Sequence, residues 1–428
     1  MRILMTCFAE GSHFSGSVPL AWALRTAGHE VRVASQPALT GTITGAGLTA
    51  VPVGSDPALH TVLGAVGGDI VALHDVADYL EKRHEKLPTA FLKGHETVMT
   101  ALFYSWINNK SMVDDLVTFA RAWRPDLVIW EPFTFAGAVA ARASGAAHAR
   151  LLSFPDMFGS TRGLFLDRLA AGAAEHHDDT LGEWLSWTLG RYGCTFDEEA
   201  VTGQWSIDQM PPSIRLSLGH AVVPMRYIPY NGQIPTVVPD WLWAQPERPR
   251  VCVTAGMTAR ATGAPNAILA DEVFDAVDGL DAEVVATLNA AEQDLVGTVP
   301  DNVRVVEHVP LEALLPTCTA IVHHGGAGTW ATATATGVPQ ISLGGVWDVV
   351  YRARRIEQLG AGLYLPPVEV SASNLRAALV RVLEEPSFRQ QAELLRDEVR
   401  SEPHPNEVVG VLQRLTARHH GRTAVAAR

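Results

Sequence analysis

The sequence predicts an α/β protein made of two doubly wound parallel sheets in series. Three observations carry that prediction. The chain opens with a strand, a Gly/Ser loop, a helix and a second strand; the same order restarts near residue 250; and a Pro-rich stretch with Pro229, Pro235, Pro239, Pro246 and Pro249 separates the two. At 428 residues the chain also exceeds the roughly 250 to 300 at which one core stops growing, so two domains are expected.

In the first half, residues 2–8 read as a buried strand, 18–27 as an amphipathic helix closed by Gly28, and 30–35 as the next strand. Residues 48–53 and 127–130 continue the sheet. The segment 56–111 breaks the rhythm: it has helical spacing, little strand signal and all four lysines of the chain, Lys82, Lys86, Lys93 and Lys110. It is expected to be a helical insertion, a solvated excursion in the first instance and an acceptor-side cover or docking surface in the second. In the second half, strands are expected at 250–256, 283–287, 303–309, 320–323 and 340–343, with helices at 266–277 and 352–359 between them. The division that follows is an N-terminal domain at 1–228, a linker at 229–249, a C-terminal domain at 250–404, and a helix and tail at 405–428 that pack back on the N-terminal domain.

Composition excludes several classes. The formal net charge is −13 and basic residues form no run, so the phosphate-neutralising footprint of a nucleic-acid binder is missing. Cys7, Cys194, Cys252 and Cys318 are far apart and make no Cys-x-x-Cys pair, which argues against a zinc site or a disulfide framework and for a reduced, cytoplasmic setting. The first apolar stretch is too short for a signal peptide, and the apolar region 127–141 is interrupted by Glu131 and Pro132, so no membrane span is expected. His74, His84 and His95 lack ligand spacing and read as ordinary histidines.

The segment richest in chemistry is Ala320-Ile321-Val322-His323-His324-Gly325-Gly326-Ala327-Gly328-Thr329-Trp330, an apolar strand entering a Gly-rich turn and an Ala/Thr helix. Such a turn lets backbone approach an anion, and the N–H groups and positive dipole end of the helix favour negative charge. A diphosphate fits there, with His324 as an added side-chain donor. Gly325, Gly326 and Gly328 alone would equally suit a tight strand-to-helix turn; the position at the carboxyl end of a parallel strand favours a ligand. Neither Gly-x-Gly-x-x-Gly nor Gly-Lys-Ser/Thr occurs.

Taken in order, Val309-Pro310-Leu311, the segment 323–329, Gly337-Val338-Pro339-Gln340 and Trp347-Asp348 resemble the donor-binding signature of family 1 glycosyltransferases, which have the GT-B fold of two Rossmann-like domains facing a central cleft. More narrowly, Val18-Pro19-Leu20-Ala21-Trp22-Ala23-Leu24, Trp123-Arg124-Pro125-Asp126-Leu127 and Trp130-Glu131-Pro132 resemble the actinomycete enzymes that attach deoxysugars to macrolide and other polyketide aglycones. The resemblance implies that the backbone of Val309 meets the nucleobase, that His324 with the amides of Gly328 and Thr329 holds the diphosphate beside Gly325 and Gly326, and that Asp348 binds sugar hydroxyls. Asp348 reads equally well as a helix cap. The next position, commonly Gln in the wider family, is Val349 here, which suits a less polar, deoxygenated sugar.

His13, in the loop after the first strand, is the candidate base that takes the acceptor proton, and Glu131, at the end of the 127–130 strand, its orienting carboxylate. The bland alternative for Glu131 is a strand-end carboxylate. The reaction implied is a single inverting displacement without an essential metal, since Asp-x-Asp is absent. No cofactor is expected beyond the nucleoside diphosphate sugar as co-substrate, with thymidine preferred to uridine by resemblance. The expected partners are that donor and a small aglycone; a cytochrome P450-like activator lacking haem, docked at 56–111, and a homodimer are further candidates by resemblance. The rivals are a nucleotide-sugar epimerase of the same fold and a non-catalytic helper protein.

Overall fold

The computed structural model describes residues 1–57, 87–171, 178–232, 237–254, 270–288, 293, 298–345 and 348–419. The chain forms two compact units: Met1–Met210 with Arg215–Gln233 and Glu402–Arg428, and Pro211–Ile214 with Ile234–Ser401.

The first unit holds a seven-stranded parallel sheet of β1 (Arg2–Thr6), β2 (Glu30–Ser35), β3 (Ala50–Pro52), β4 (Leu127–Trp130), β5 (Ala147–Leu152), β6 (Trp205–Asp208) and β7 (Val222–Pro224), in the order β3-β2-β1-β4-β5-β6-β7. Its core alternates as a strand must: Ile3 and Met5 of β1 meet Leu127 and Ile129 of β4 and Leu20 and Leu24 of the helix Val18–Thr26. A fully buried Leu of this kind contributes about 1.5–3 kcal/mol. The helix Pro405–His419 adds Val408, Val409 and Leu412 to the same core. Pro403 O, just ahead of it, accepts a hydrogen bond from Arg226 N at 2.7 Å.

The second unit holds a six-stranded parallel sheet of β8 (Arg250–Thr254), β9 (Glu283–Thr287), β10 (Val303–Val306), β11 (Ala320–His323), β12 (Gln340–Ser342) and β13 (Gly362–Tyr364), in the order β10-β9-β8-β11-β12-β13. Both of its faces are apolar. Val251 and Val253 pack with Phe274, Leu375 and Leu379 on one side, and Cys252 packs with Val285, Leu314 and Ile321 on the other, as expected for a parallel sheet covered on both faces.

Both strand orders reverse direction beside the first strand, between β1 and β4 and between β8 and β11. Loops leaving neighbouring strands at such a switch point diverge to opposite faces, which opens a crevice at the carboxyl ends. The segment expected as a helical insertion contains the helix Thr89–Met99 and the start of Lys110–Trp123; its residues 58–86, with His74 and His84, lie outside the described residues. The helix expected at 352–359 begins four residues earlier, at Asp348. Among the described residues no helix is long and apolar enough to cross a membrane.

Candidate active site

The chain places His13 and Glu131 together through the pairing of β1 with β4. Thr6 is in register with Trp130, and Glu131 N donates to Thr6 O at 3.0 Å, so the residue after β4 arrives beside the loop that follows β1. That loop folds into a short helix, Gly11–Ser15, whose N-cap Glu10 accepts from Ser12 N. The helix turns His13 back over the strand ends.

His13 Nδ1 lies 2.9 Å from Glu131 Oε1. The other carboxylate oxygen, Oε2, accepts from Phe133 N and from the Thr134 hydroxyl, each at 3.0 Å, and Thr134 Oγ1 in turn accepts from Phe8 N at 3.0 Å. Glu131 is thereby fixed by two donors before it meets the imidazole. Its side chain is 6% exposed whereas that of His13 is 24% exposed, so the carboxylate is sealed and the ring still reaches solvent. Rings enclose the histidine: Phe8 at 4.7 Å, Phe133 at 5.6 Å and Phe154 at 6.1 Å between centroids. Phe158 meets Phe133 edge-on at 5.0 Å and stacks with the ring of His95 at 6.1 Å, which makes His95 part of an aromatic wall. Cys7, beneath the site, is no nucleophile: burial, and then the charges of Glu131 and Glu10, push its thiol well above the usual range.

In the second unit β11 ends at His323, and the turn His324-Gly325-Gly326 leads into the helix Ala327–Thr336. Gly325 has φ +91°, a conformation that L side chains rarely adopt, and a Cβ there would collide with Val349 Cγ1. At Gly326 a Cβ would lie 2.5 Å from His324 Nε2, so only glycine lets the His324 ring lie over the helix start. The N-cap is Gly326 itself, which offers the first-turn amides no side-chain acceptor. Gly328 is exposed and Thr329 half-buried at that start.

His323 serves the turn rather than a ligand. It is fully buried, its Nδ1 accepts from Gly325 N at 2.9 Å, and its Nε2 donates to Gln340 Oε1 at 2.9 Å. Burial, followed by the charges of His324 and Arg352, pushes the ring down to about 3. Strand alternation carries the signal for this division of labour, because two adjacent histidines at a strand end cannot both face outward. Thr134 and Gln340, the partners that fix the two sites, have no such signal.

Val309 is 3% exposed, with its side chain among Leu314, Leu315 and Ile321, so it offers a base its backbone alone. Asp348 opens the helix Asp348–Gln358 and is bound by Arg352: Nε donates to Oδ2 at 2.7 Å and Nη2 lies 2.6 Å from the same oxygen. Val349 is 9% exposed and wedged between Gly325 and Gly344, either of which would clash with its Cγ1 if it carried a Cβ. Its apolarity is thus explained by packing under the turn, without appeal to the sugar. Trp347 lies outside the described residues. The Trp123 to Leu127 motif is structural: Asp126 Oδ2 accepts from Arg2 N at 2.7 Å and Trp123 O accepts from Arg2 Nη1 at 2.5 Å, which seats β1 against β4.

Two Rossmann-like parallel sheets, one carrying a His–carboxylate pair and the other a glycine-rich strand-to-helix turn, are the architecture of a glycosyltransferase of the GT-B class. Residues 22–256 match the N-terminal domain, and residues 271–415 the C-terminal domain, of erythromycin biosynthesis protein CIII-like proteins, and the chain belongs to that family. It is 61% identical to aklavinone 7-beta-L-rhodosaminyltransferase of Streptomyces galilaeus, over 99% of this chain and 97% of that protein. It is 54% identical to the TDP-daunosamine transferase DnrS of Streptomyces peucetius, over 98% of each. The crystal structure of glycosyltransferase VinC in complex with dTDP superposes with a TM-score of 0.86 at 41% identity, covering 98% of this chain and all of that one (100%).

Proposed function

We propose that this glycosyltransferase moves a deoxysugar, with inversion, from a thymidine diphosphate sugar to a hydroxyl of a polyketide aglycone in antibiotic biosynthesis. The observation that carries the reading is the 2.9 Å contact of His13 Nδ1 with Glu131 Oε1 at the switch point of the first sheet. With the Nδ1 proton held by the carboxylate, the neutral ring has its lone pair on Nε2, the atom that takes the acceptor O–H proton. The acceptor oxygen bonds to the anomeric carbon as the carbon–oxygen bond to the diphosphate breaks. The proton rests on the imidazolium, which Glu131 stabilises, and thymidine diphosphate departs with the bonding pair. One displacement inverts the anomeric centre.

His324, the first-turn amides with those of Gly328 and Thr329, and the helix dipole stabilise the charge gathering on the leaving group, so no metal is invoked. The names of the rhodosaminyl and daunosamine transferases and the dTDP of the VinC crystal support the donor. The aromatic wall of Phe133, Phe154 and Phe158 beside His13 supports a flat, apolar acceptor. The P450-like activator and the homodimer rest on resemblance; turnover of the purified chain alone as fast as with such a helper would remove the former. Four free cysteines suit a reducing cytoplasm.

The test is mass spectrometry of reactions holding several nucleotide deoxysugars and polyketide aglycones, with and without chelator. A glycosylated aglycone of inverted configuration, formed equally with chelator present, supports the proposal. An isomerised donor formed without acceptor would replace it with the epimerase reading.

A further inference from the structure

Asp348 poses an electrostatic problem. Val349, the next residue, is wedged against Gly325 and Gly344, so the carboxylate stands within one residue of the turn that receives a dianionic diphosphate. An unbalanced negative charge there would oppose donor binding. Arg352 lies one helical turn on, 2% exposed, with Nε and Nη2 at 2.7 and 2.6 Å from Asp348 Oδ2. Its guanidinium carbon is 5.1 Å from the centroid of the Trp330 ring, on the helix that starts at the turn.

The contacts of this arginine are incomplete. Among the described residues its Nη1 is buried with no hydrogen-bond partner, and an orphaned donor on a buried cation is costly. An apolar side chain over Trp330 would fill the space at lower cost.

We propose that Arg352 is a positioning residue of the donor half: pinned between Trp330 and Asp348, it balances the carboxylate's charge beside the diphosphate and leaves Oδ1 to accept from a sugar hydroxyl. The inference rests on the reading of Asp348 as the sugar contact. Charge balance and aim are separable, because a lysine retains the first while losing the fork of donors and the planar stack that provide the second.

The experiment measures thymidine diphosphate affinity by calorimetry and donor KM and kcat by transfer assay, with thermal melts to verify folding. Asp348→Asn is expected to raise donor KM about tenfold through loss of the sugar contact and, because the Arg352 charge is then unbalanced, to tighten rather than weaken diphosphate binding. Arg352→Met is expected to weaken diphosphate binding about tenfold, and the double variant Asp348→Asn/Arg352→Met to recover it to within about threefold, since no carboxylate is then left unbalanced. Arg352→Lys keeps the charge, so it should hold diphosphate affinity while raising donor KM; this variant serves also if Arg352→Met fails to fold. Unchanged diphosphate affinity in folded Arg352→Met, no recovery in the double variant, or an unchanged donor KM in Arg352→Lys would overturn the proposal. An unchanged donor KM in Asp348→Asn would instead remove the sugar-contact reading, and wild-type protein that binds no thymidine diphosphate would remove the functional reading beneath both.

Discussion

His13 and His323 each place a ring nitrogen 2.9 Å from a side-chain oxygen, yet the two arrangements do opposite things. Behind His13 stands the carboxylate of Glu131, and the His13 side chain is 24% exposed. Behind His323 stands the amide of Gln340, and the ring is sealed. A carboxylate can stabilise the imidazolium that forms when a proton is taken, whereas a buried ring facing an amide resists charging and falls to about 3. The oxygen behind the ring and the solvent in front of it, rather than the histidine or the distance, decide which one is a candidate base.

The largest effect should come from removing the exposed ring. His13→Ala is expected to lower kcat about a thousandfold while leaving thymidine diphosphate affinity within about twofold, and a variant that retained a tenth of the activity would break the comparison. Glu131→Gln makes the first site resemble the second and should lower kcat about a hundredfold, with the loss read in single-turnover transfer.

The reverse exchange, Gln340→Glu, puts an ionisable group that is 2% exposed against His323 and Thr334. It should destabilise the protein by about 2 kcal/mol in denaturant melts at neutral pH without creating a second base. The smallest effect is one of slope. The unfolded His323 ring binds a proton below its usual 6.5, and the folded ring only near 3, so native stability drains away as pH falls below 6.5. Between pH 6.5 and 5.5 this amounts to about 1 kcal/mol. His323→Asn, whatever its baseline stability, should flatten the acid limb of Tm against pH by that amount, and an unchanged slope would show that the ring is not sealed.

The strands β1 and β11 were legible because their apolar runs are bounded by Gly-rich loops. β5, β6, β7 and β13 were not. β5 carries His148 and Arg150 inside the fold, and Arg150 is made tolerable there by Asp156 and by Ser206 of β6, the latter 56 positions away and outside any local window. β6 ends in Asp208, which burial raises to about 7 and which accepts from Met210 N at 2.8 Å. Polar residues at such positions read as loop until tertiary structure supplies their partners. β7 and β13 span three residues each and were missed, whereas the equally short β3 and β12 were read from longer apolar stretches around them.

The candidate site divides in the same way. Residue type and place were enough to single out His13, Glu131 and His324. The pairing of His13 with Glu131 was expected from their places at two strand ends, but its geometry was not, because the contact spans 118 positions and exists only through the β1–β4 register. Thr134, His323, Gln340 and Arg352 act through neighbours, so their roles appear only once those neighbours are placed.

The helix Pro405–His419 carries Val408, Val409 and Leu412 into the core built around β1 and β4. A ribosome making this chain releases the whole second sheet before that helix emerges, so the first sheet must wait, with part of its apolar surface uncovered, until the second sheet has been made. The domain whose synthesis begins first is thus completed after the second, and chaperone demand during expression should concentrate on that interval.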